Sequence, residues 1–193
     1  DPSYAGQIIN FTFPHIGNVG TNFDDDESRK PFAKGIIINC DISDPSNYRS
    51  ILHLDLWLKK NNIPGICNID TRLITNRIRS KGAPRGGIIE GPINNKKSAH
   101  CLKEIKKWKG LNGLDLAIDV SRKDVKIYKS KKKSKLKVVA IDYGIKQNIL
   151  NCLLDLDLEV ILVPAKTSAE KILTFNPNGI FLSNGPGDPK ATG

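Results

Sequence analysis

Residues 136–189 contain three apolar runs, LKVVAI (136–141), LEVILV (158–163) and GIFL (179–182), the last running straight into SNGPGDP (183–189). Each run is continuous rather than alternating, which predicts strands buried on both faces. Between the first two, Ile145, Ile149 and Leu153 recur at helical spacing. Between the second and third, Thr167 and Glu170 fit a capping box for a short helix bearing Ile172 and Leu173. Such strands alternating with helices predict a parallel sheet with right-handed crossovers. Residues 136–193 therefore read as the opening half of a doubly wound α/β domain.

Upstream the pattern is less regular. Residues 1–120 read as an irregular α+β domain, with strands within Gln7–Phe13 and Gly35–Cys40 and a turn-rich loop at Pro14–Gly20. Asp24–Glu27 is an acidic surface run. Ser50–Lys60 reads as a helix with Ile51, Leu54 and Leu58 on one face, stopped before Pro64. Asp70 is placed to cap a second helix carrying Leu73, Ile74 and Ile78 inward, with Gly82 at its stop. Ser98 is placed to cap a third, with Leu102, Ile105 and Trp108 inward and Gly110 at its end. Trp57 and Trp108 read as core or partner-facing anchors. Residues 121–135, including the Lys-rich run 129–135, have no apolar period and read as a solvated linker; binding of a polyanion is the competing reading.

In open α/β sheets, ligands bind outside the carboxyl ends of the strands. Two segments fall there: Asp142-Tyr143-Gly144 and Ser183–Pro189. In the second, Gly185 and Gly187 allow close backbone approach and two prolines stiffen the turn. A dinucleotide fingerprint fails, because Lys190 stands where a third glycine is needed and the loop follows the wrong strand. A phosphate-binding G-x-x-x-x-G-K loop fails on spacing. A purely structural turn remains open at this level. Asp188 is expected to orient the loop through local backbone bonds.

The 193 residues carry 30 Lys and Arg against 20 Asp and Glu, a net charge of +10. Lys outnumbers Arg 23 to 7 and aromatic residues make up 6%, which argues against a nucleic-acid reader and for codon bias. No apolar run is long enough to span a bilayer. The absence of Met and the start at Asp1 suggest a piece of a longer protein. Cys40, Cys67, Cys101 and Cys152 are scattered, without metal-ligand spacing, and fit reduced thiols of the cytoplasm. Cys152 falls inside the predicted Ile145–Leu154 helix, as a small core residue.

The ordered stretches DPSYAGQIINFTFPHIGNVGTN (1–22), NIDTR (68–72), GLNGLDLA (110–117), VVAIDYGIKQNIL (138–150), VPAKTSAEKIL (163–173) and NPNGIFLSNGPGDP (176–189) together resemble the small, glutamine-hydrolysing chain family of carbamoyl-phosphate synthase. The resemblance implies an N-terminal domain over 1–120 that packs on the large synthetase chain, the linker 121–135, and a class I glutamine amidotransferase domain begun over 136–193. It implies that Gly185 and Gly187 bind L-glutamine, and that a serine upstream of Asp1 contacts it as well. The family's catalytic Cys, His and Glu lie beyond Gly193, so no catalytic residue and no metal ligand is assigned here, and residues 1–193 are expected to be inactive alone. ATP and Mg belong to the large chain, and this chain is expected to hold no cofactor. A non-catalytic docking or scaffold module for the large chain is the alternative.

Overall fold

The computed structural model describes residues 1–130 and 136–192. Most of the Lys-rich run, residues 131–135, lies outside the described residues. The chain forms two compact units. The amino-terminal unit comprises Gly6–Asp26 and Ala33–Gly110; the carboxy-terminal unit comprises Asp1–Ala5, Glu27–Phe32 and the described part of Leu111–Gly193.

The amino-terminal unit is built on a three-stranded parallel sheet, β1 (Ile8–Asn10), β2 (Gly35–Ile37) and β3 (Gly65–Ile66), in that spatial order. Its core is Ile36, Ile38 and Leu58, with Phe11, Ile16 and Trp57 packed against them. Helix α1 (Leu54–Lys60) starts later than the expected Ser50. His53 caps it, its Nδ1 accepting from the Asp55 N–H at 3.1 Å, because residues 51–52 instead bond across to Thr21. Helix α2 (Thr71–Lys81) has the expected cap: Asp70 Oδ1 accepts from the Leu73 N–H at 2.8 Å, and Gly82 ends it at φ 78°. Leu73 is exposed, contrary to expectation, and Thr71 is fully buried, since the Thr71 carbonyl accepts from Asn10 Nδ2 of β1 and turns that edge inward.

Helix α3 (Asn95–Lys107) is capped by Asn94 rather than Ser98. The helix thereby gains a turn at its start, and Cys101 and Ile105 lie against Gly87 while Leu102 faces outward. Trp108 is its C-cap and is 39% exposed, not a core anchor.

The carboxy-terminal unit contains α4 (Leu116–Val120), β4 (Lys126–Tyr128), β5 (Lys137–Asp142), α5 (Gln147–Asp155), β6 (Glu159–Pro164), α6 (Ala169–Leu173), β7 (Gly179–Leu182) and α7 (Pro189–Thr192). The sheet order is β4-β6-β5-β7. β5 pairs in parallel with both β6 and β7, as the continuous apolar runs predict. β4 is a correction. It lies inside the segment read as linker, yet runs antiparallel along β6, because Tyr128 packs against the core of the sheet while Lys126 and Ile127 stay exposed.

Both faces of β5 and β6 are buried, whereas β7, expected to be buried on both faces, exposes Ile180 and Leu182 because it pairs only with β5 among the described strands. Val139, Ile141, Ile161 and Val163 pack with Ile172 of α6 on one side; Ala140, Val160 and Leu162 pack with Leu150 of α5 on the other. Each such buried Val, Leu or Ile contributes about 1.5–3 kcal/mol. The capping box is also corrected: Ser168 caps α6, accepting from the Lys171 N–H, while Thr167 Oγ1 donates to the Pro164 carbonyl. Cys152 is exposed on α5, not in the core.

Helix α5 has no cap from its own sequence, since Lys146 at the N-cap makes none. Glu27 replaces it: its carbonyl accepts from the Gln147 N–H at 3.0 Å and its Oε2 from the Asn148 N–H at 2.9 Å. Two of the orphan donors of the first turn are thus satisfied from 120 residues away.

Candidate functional site

From β5 the chain crosses through α5 to β6 on one side, then through α6 to β7 on the other. The strand order reverses at β5, so the carboxyl ends of β5 and β7 flank the crevice where doubly wound sheets bind ligands. Both segments singled out from the sequence lie there.

The β5 end is fixed by Asp142, which is 7% exposed. Its Oδ1 accepts from the N–H groups of Gly144 and Ile145, and its Oδ2 from the N–H of Arg122, all at 3.0 Å. Gly144 follows at φ 121°, where a Cβ would come within 2.9 Å of Val120.

The β7 end is then stapled to the β5 end. Ser183 Oγ accepts from the Tyr143 N–H at 2.9 Å. Asn184 Nδ2 donates to the Gly144 carbonyl at 3.0 Å and to Ser3 Oγ at 2.7 Å, while its Oδ1 accepts from the Lys146 N–H at 3.3 Å. One amide side chain therefore spans three segments.

At Gly185 a Cβ would lie 2.2 Å from the Tyr143 carbonyl oxygen, and at Gly187, φ 86°, 2.5 Å from the Leu114 carbonyl oxygen. Neither position admits a side chain without a backbone shift. Among the described residues, no acceptor meets the N–H of Gly185 or Gly187. These two amides are the donors the loop has to offer. Asp188 holds the loop from the far side. Its N–H donates to the Leu114 carbonyl, its Oδ2 accepts from Gly113 and its Oδ1 from Lys190. The Gly113 N–H, and then the Lys190 N–H, hold its carboxyl below the usual carboxylate range. The expected local bond is present at Lys190; the bond to Gly113, 75 residues away, is not visible from sequence.

Ser3 was missed. A serine contact was expected only from upstream of Asp1, yet Ser3 stands at the loop on the short helical turn Pro2–Tyr4. The only sequence signal was Asp1 before Pro2, which caps that turn by accepting from the Ser3 N–H.

No cysteine of the chain joins this site. Cys40, Cys67 and Cys101 belong to the other unit, and Cys152 projects from α5. Cys67 donates to Asp41 Oδ1 at 3.0 Å, and that bond raises its thiol, which disfavours the nucleophilic thiolate. Among the described residues, no group of three or more His, Cys, Asp or Glu side chains is arranged to hold a metal ion, and no helix is long and apolar enough to cross a membrane.

Residues 1–88 match the family described as carbamoyl-phosphate synthase small chain, CPSase domain, and residues 139–193 match glutamine amidotransferase class-I. The carbamoyl phosphate synthase small chain of Agrobacterium fabrum is 48% identical over 211 aligned residues, which cover all of this chain and 52% of the relative. That of Bradyrhizobium diazoefficiens is 50% identical over 209, and that of Bartonella quintana 48% over 208, with the same coverage. The chain spans about half the length of the curated relatives it matches.

Proposed function

The chain belongs by homology to the carbamoyl-phosphate synthase small-chain family, and from that premise we propose that its glycine loop is the glutamine-binding loop of a glutaminase. In this reading the complete small chain hydrolyses L-glutamine to glutamate and ammonia. The large chain takes the ammonia and, with bicarbonate, ATP and Mg, makes carbamoyl phosphate for pyrimidine and arginine biosynthesis in the cytoplasm. Residues 1–120 serve the family's N-terminal domain and its contact with the large chain, 121–135 the connection, and 136–193 the amidotransferase domain. This chain takes no nucleotide, metal or nucleic acid.

The observation that carries the proposal is the pair Gly185 and Gly187. Both are pressed onto backbone carbonyls at the switch point, and both have N–H groups that meet no acceptor among the described residues. Donors fixed in place before substrate arrives suit an amide oxygen that gains charge as a nucleophile attacks, because no reorganisation is needed at that moment. Asn184, its amide committed to Ser3, Gly144 and Lys146, fixes the backbone beside them. The attacking thiolate has to come from a residue other than the four cysteines here, so residues 1–193 alone release no glutamate.

Two measurements test this. Titrating L-glutamine into the 15N-labelled chain should shift the amides of Gly185 and Gly187 first, with D-glutamine as the control. In the full small chain paired with the large chain, Gly185→Ala should abolish glutamine-dependent synthesis and leave ammonia-dependent synthesis intact. Loss of both activities, or glutamine-induced shifts confined to other residues, would refute the assignment. A pure docking module would show neither the shifts nor the glutamine-specific loss.

A further inference from the structure

The Gly185 N–H is useful as a donor only if the peptide plane that carries it is held at a fixed angle. That plane runs from the Asn184 carbonyl to the Gly185 nitrogen, and in a trans peptide the carbonyl and the N–H point opposite ways. Fixing the Asn184 carbonyl therefore aims the Gly185 N–H. Ser183 fixes it. The Ser183 Oγ accepts from the Tyr143 N–H at 2.9 Å and donates its own proton to the Asn184 carbonyl at 2.8 Å.

Asn184 holds the other end of the same plane through its side chain, which is half-buried. A backbone N–H only donates and a carbonyl only accepts, so the partners dictate how the amide is turned. Oδ1 takes the Lys146 N–H, and Nδ2 donates to the Gly144 carbonyl and to Ser3 Oγ. An ionised carboxylate of the same shape would have no proton for Gly144. The Gly144 turn is itself anchored, since the buried Asp142 carboxylate accepts from the Gly144 and Ile145 N–H groups. Gly185 is exposed while Pro186 behind it is buried, so the loop is open to a ligand on one side only.

We propose that Ser183 and Asn184 are positioning residues that lock the Asn184–Gly185 peptide plane and so aim the Gly185 N–H at the substrate amide oxygen. This rests on the glycine loop being the glutamine-binding loop. Both side chains are engaged with the protein and act on the substrate through Gly185. A donor locked in this way stabilises charge that develops in the transition state without having to turn first. The arrangement also demands asparagine rather than aspartate at 184, because two of its three bonds are donated.

Kinetics of the full small chain paired with the large chain test the assignment. Asn184→Ala and Ser183→Ala should each lower kcat of glutamine-dependent synthesis by about 100-fold, the cost of a misplacement of about 1 Å. KM for glutamine should change little, because the interaction belongs to the transition state. Ammonia-dependent synthesis should be unchanged. Asn184→Asp in the 15N-labelled chain separates aiming from general support of the fold. The introduced carboxyl can donate to the Gly144 carbonyl only when protonated, so the Gly185 amide resonance should move with pH and return towards its wild-type position in acid. The amides of Val139–Ile141 should not follow it. Unchanged kcat in both alanine variants, a loss carried by KM alone, a parallel loss of ammonia-dependent synthesis, or a Gly185 amide that ignores pH in the Asn184→Asp chain would each overturn the proposal. The pH response is read without glutamine. It therefore decides the role of Asn184 even where glutamine fails to shift Gly185 and Gly187 in the wild-type chain, a result that would refute the glutamine reading alone.

Discussion

Replacing Gly187 with alanine should destabilise the carboxy-terminal unit through two separable effects. At φ 86° an alanine must adopt the left-handed region, which costs about 1–2 kcal/mol. Its Cβ would also stand 2.5 Å from the Leu114 carbonyl oxygen and 3.0 Å from the Leu116 nitrogen, both backbone atoms that cannot rotate away. Forcing that contact open adds about 1–3 kcal/mol, for a total of about 2–5 kcal/mol.

Gly113 supplies the control within the same unit. It has φ 73° and nothing within 4 Å of a Cβ, so Gly113→Ala carries the conformational cost alone. Both tryptophans, Trp57 and Trp108, lie in the other unit, so their fluorescence would report the wrong transition. The suitable assay is native-state hydrogen exchange at Val139–Ile141 and Val160–Val163, where opening reports the stability of this sheet. Gly187→Ala should lower the protection of these amides by at least about 1 kcal/mol more than Gly113→Ala does. Equal losses would refute the claim that the loop's packing on Leu114 dictates the glycine.

Glu27→Ala should fray the start of α5 and cost about 0.5–2 kcal/mol, the usual range for a lost cap, with faster exchange at Asn148 while Gln147 keeps its bond to the residue 27 carbonyl. Asp188 has a folded pKa below its unfolded value of about 3.9. Its contribution is therefore present above that value and lost as pH falls through the folded one; exchange at Gly113 and Lys190, corrected for intrinsic rates, should rise on acidification below about pH 4, and Asp188→Asn should remove that dependence. Thr71→Val should be neutral or stabilising within about 1 kcal/mol in urea unfolding, because the Thr71 hydroxyl oxygen is buried with no hydrogen-bond partner among the described residues.

What could be read from sequence was whatever repeats locally. The runs ending at Ile141, Val163 and Leu182 are apolar on both faces, so their strands and parallel pairing follow from composition alone. Asp70 and Gly82 bracket α2 because capping is decided within four residues. The failures share the opposite cause. Ser98 and Asn94 are both competent caps for α3, and only the packing of Cys101 and Ile105 on Gly87 separates them. Lys126–Tyr128 gave no periodic signal, since three residues along β6 need only one inward side chain. At the site, Gly185 and Gly187 were identifiable as glycines that matter. That Tyr143 and Leu114 forbid their side chains, and that Asn184 ties Ser3 to Gly144, depends on contacts spanning from 40 to 181 residues, which no local pattern encodes.

The bond between Ser3 and Asn184 also sets a schedule for the ribosome. Ser3 is made long before it can find its place, because its partner lies 181 positions later. At translation rates of about 5–20 residues per second, the Pro2–Tyr4 turn waits about 10–40 s for Asn184, and the Glu27 cap waits about 6–24 s for α5. During that interval the amino-terminal unit, whose last residue is Gly110, can be complete. A chaperone that holds the nascent chain therefore has a defined client: a finished unit preceded by segment 1–5 and interrupted by segment 27–32, whose partners Asn184 and Asn148 are still to be made.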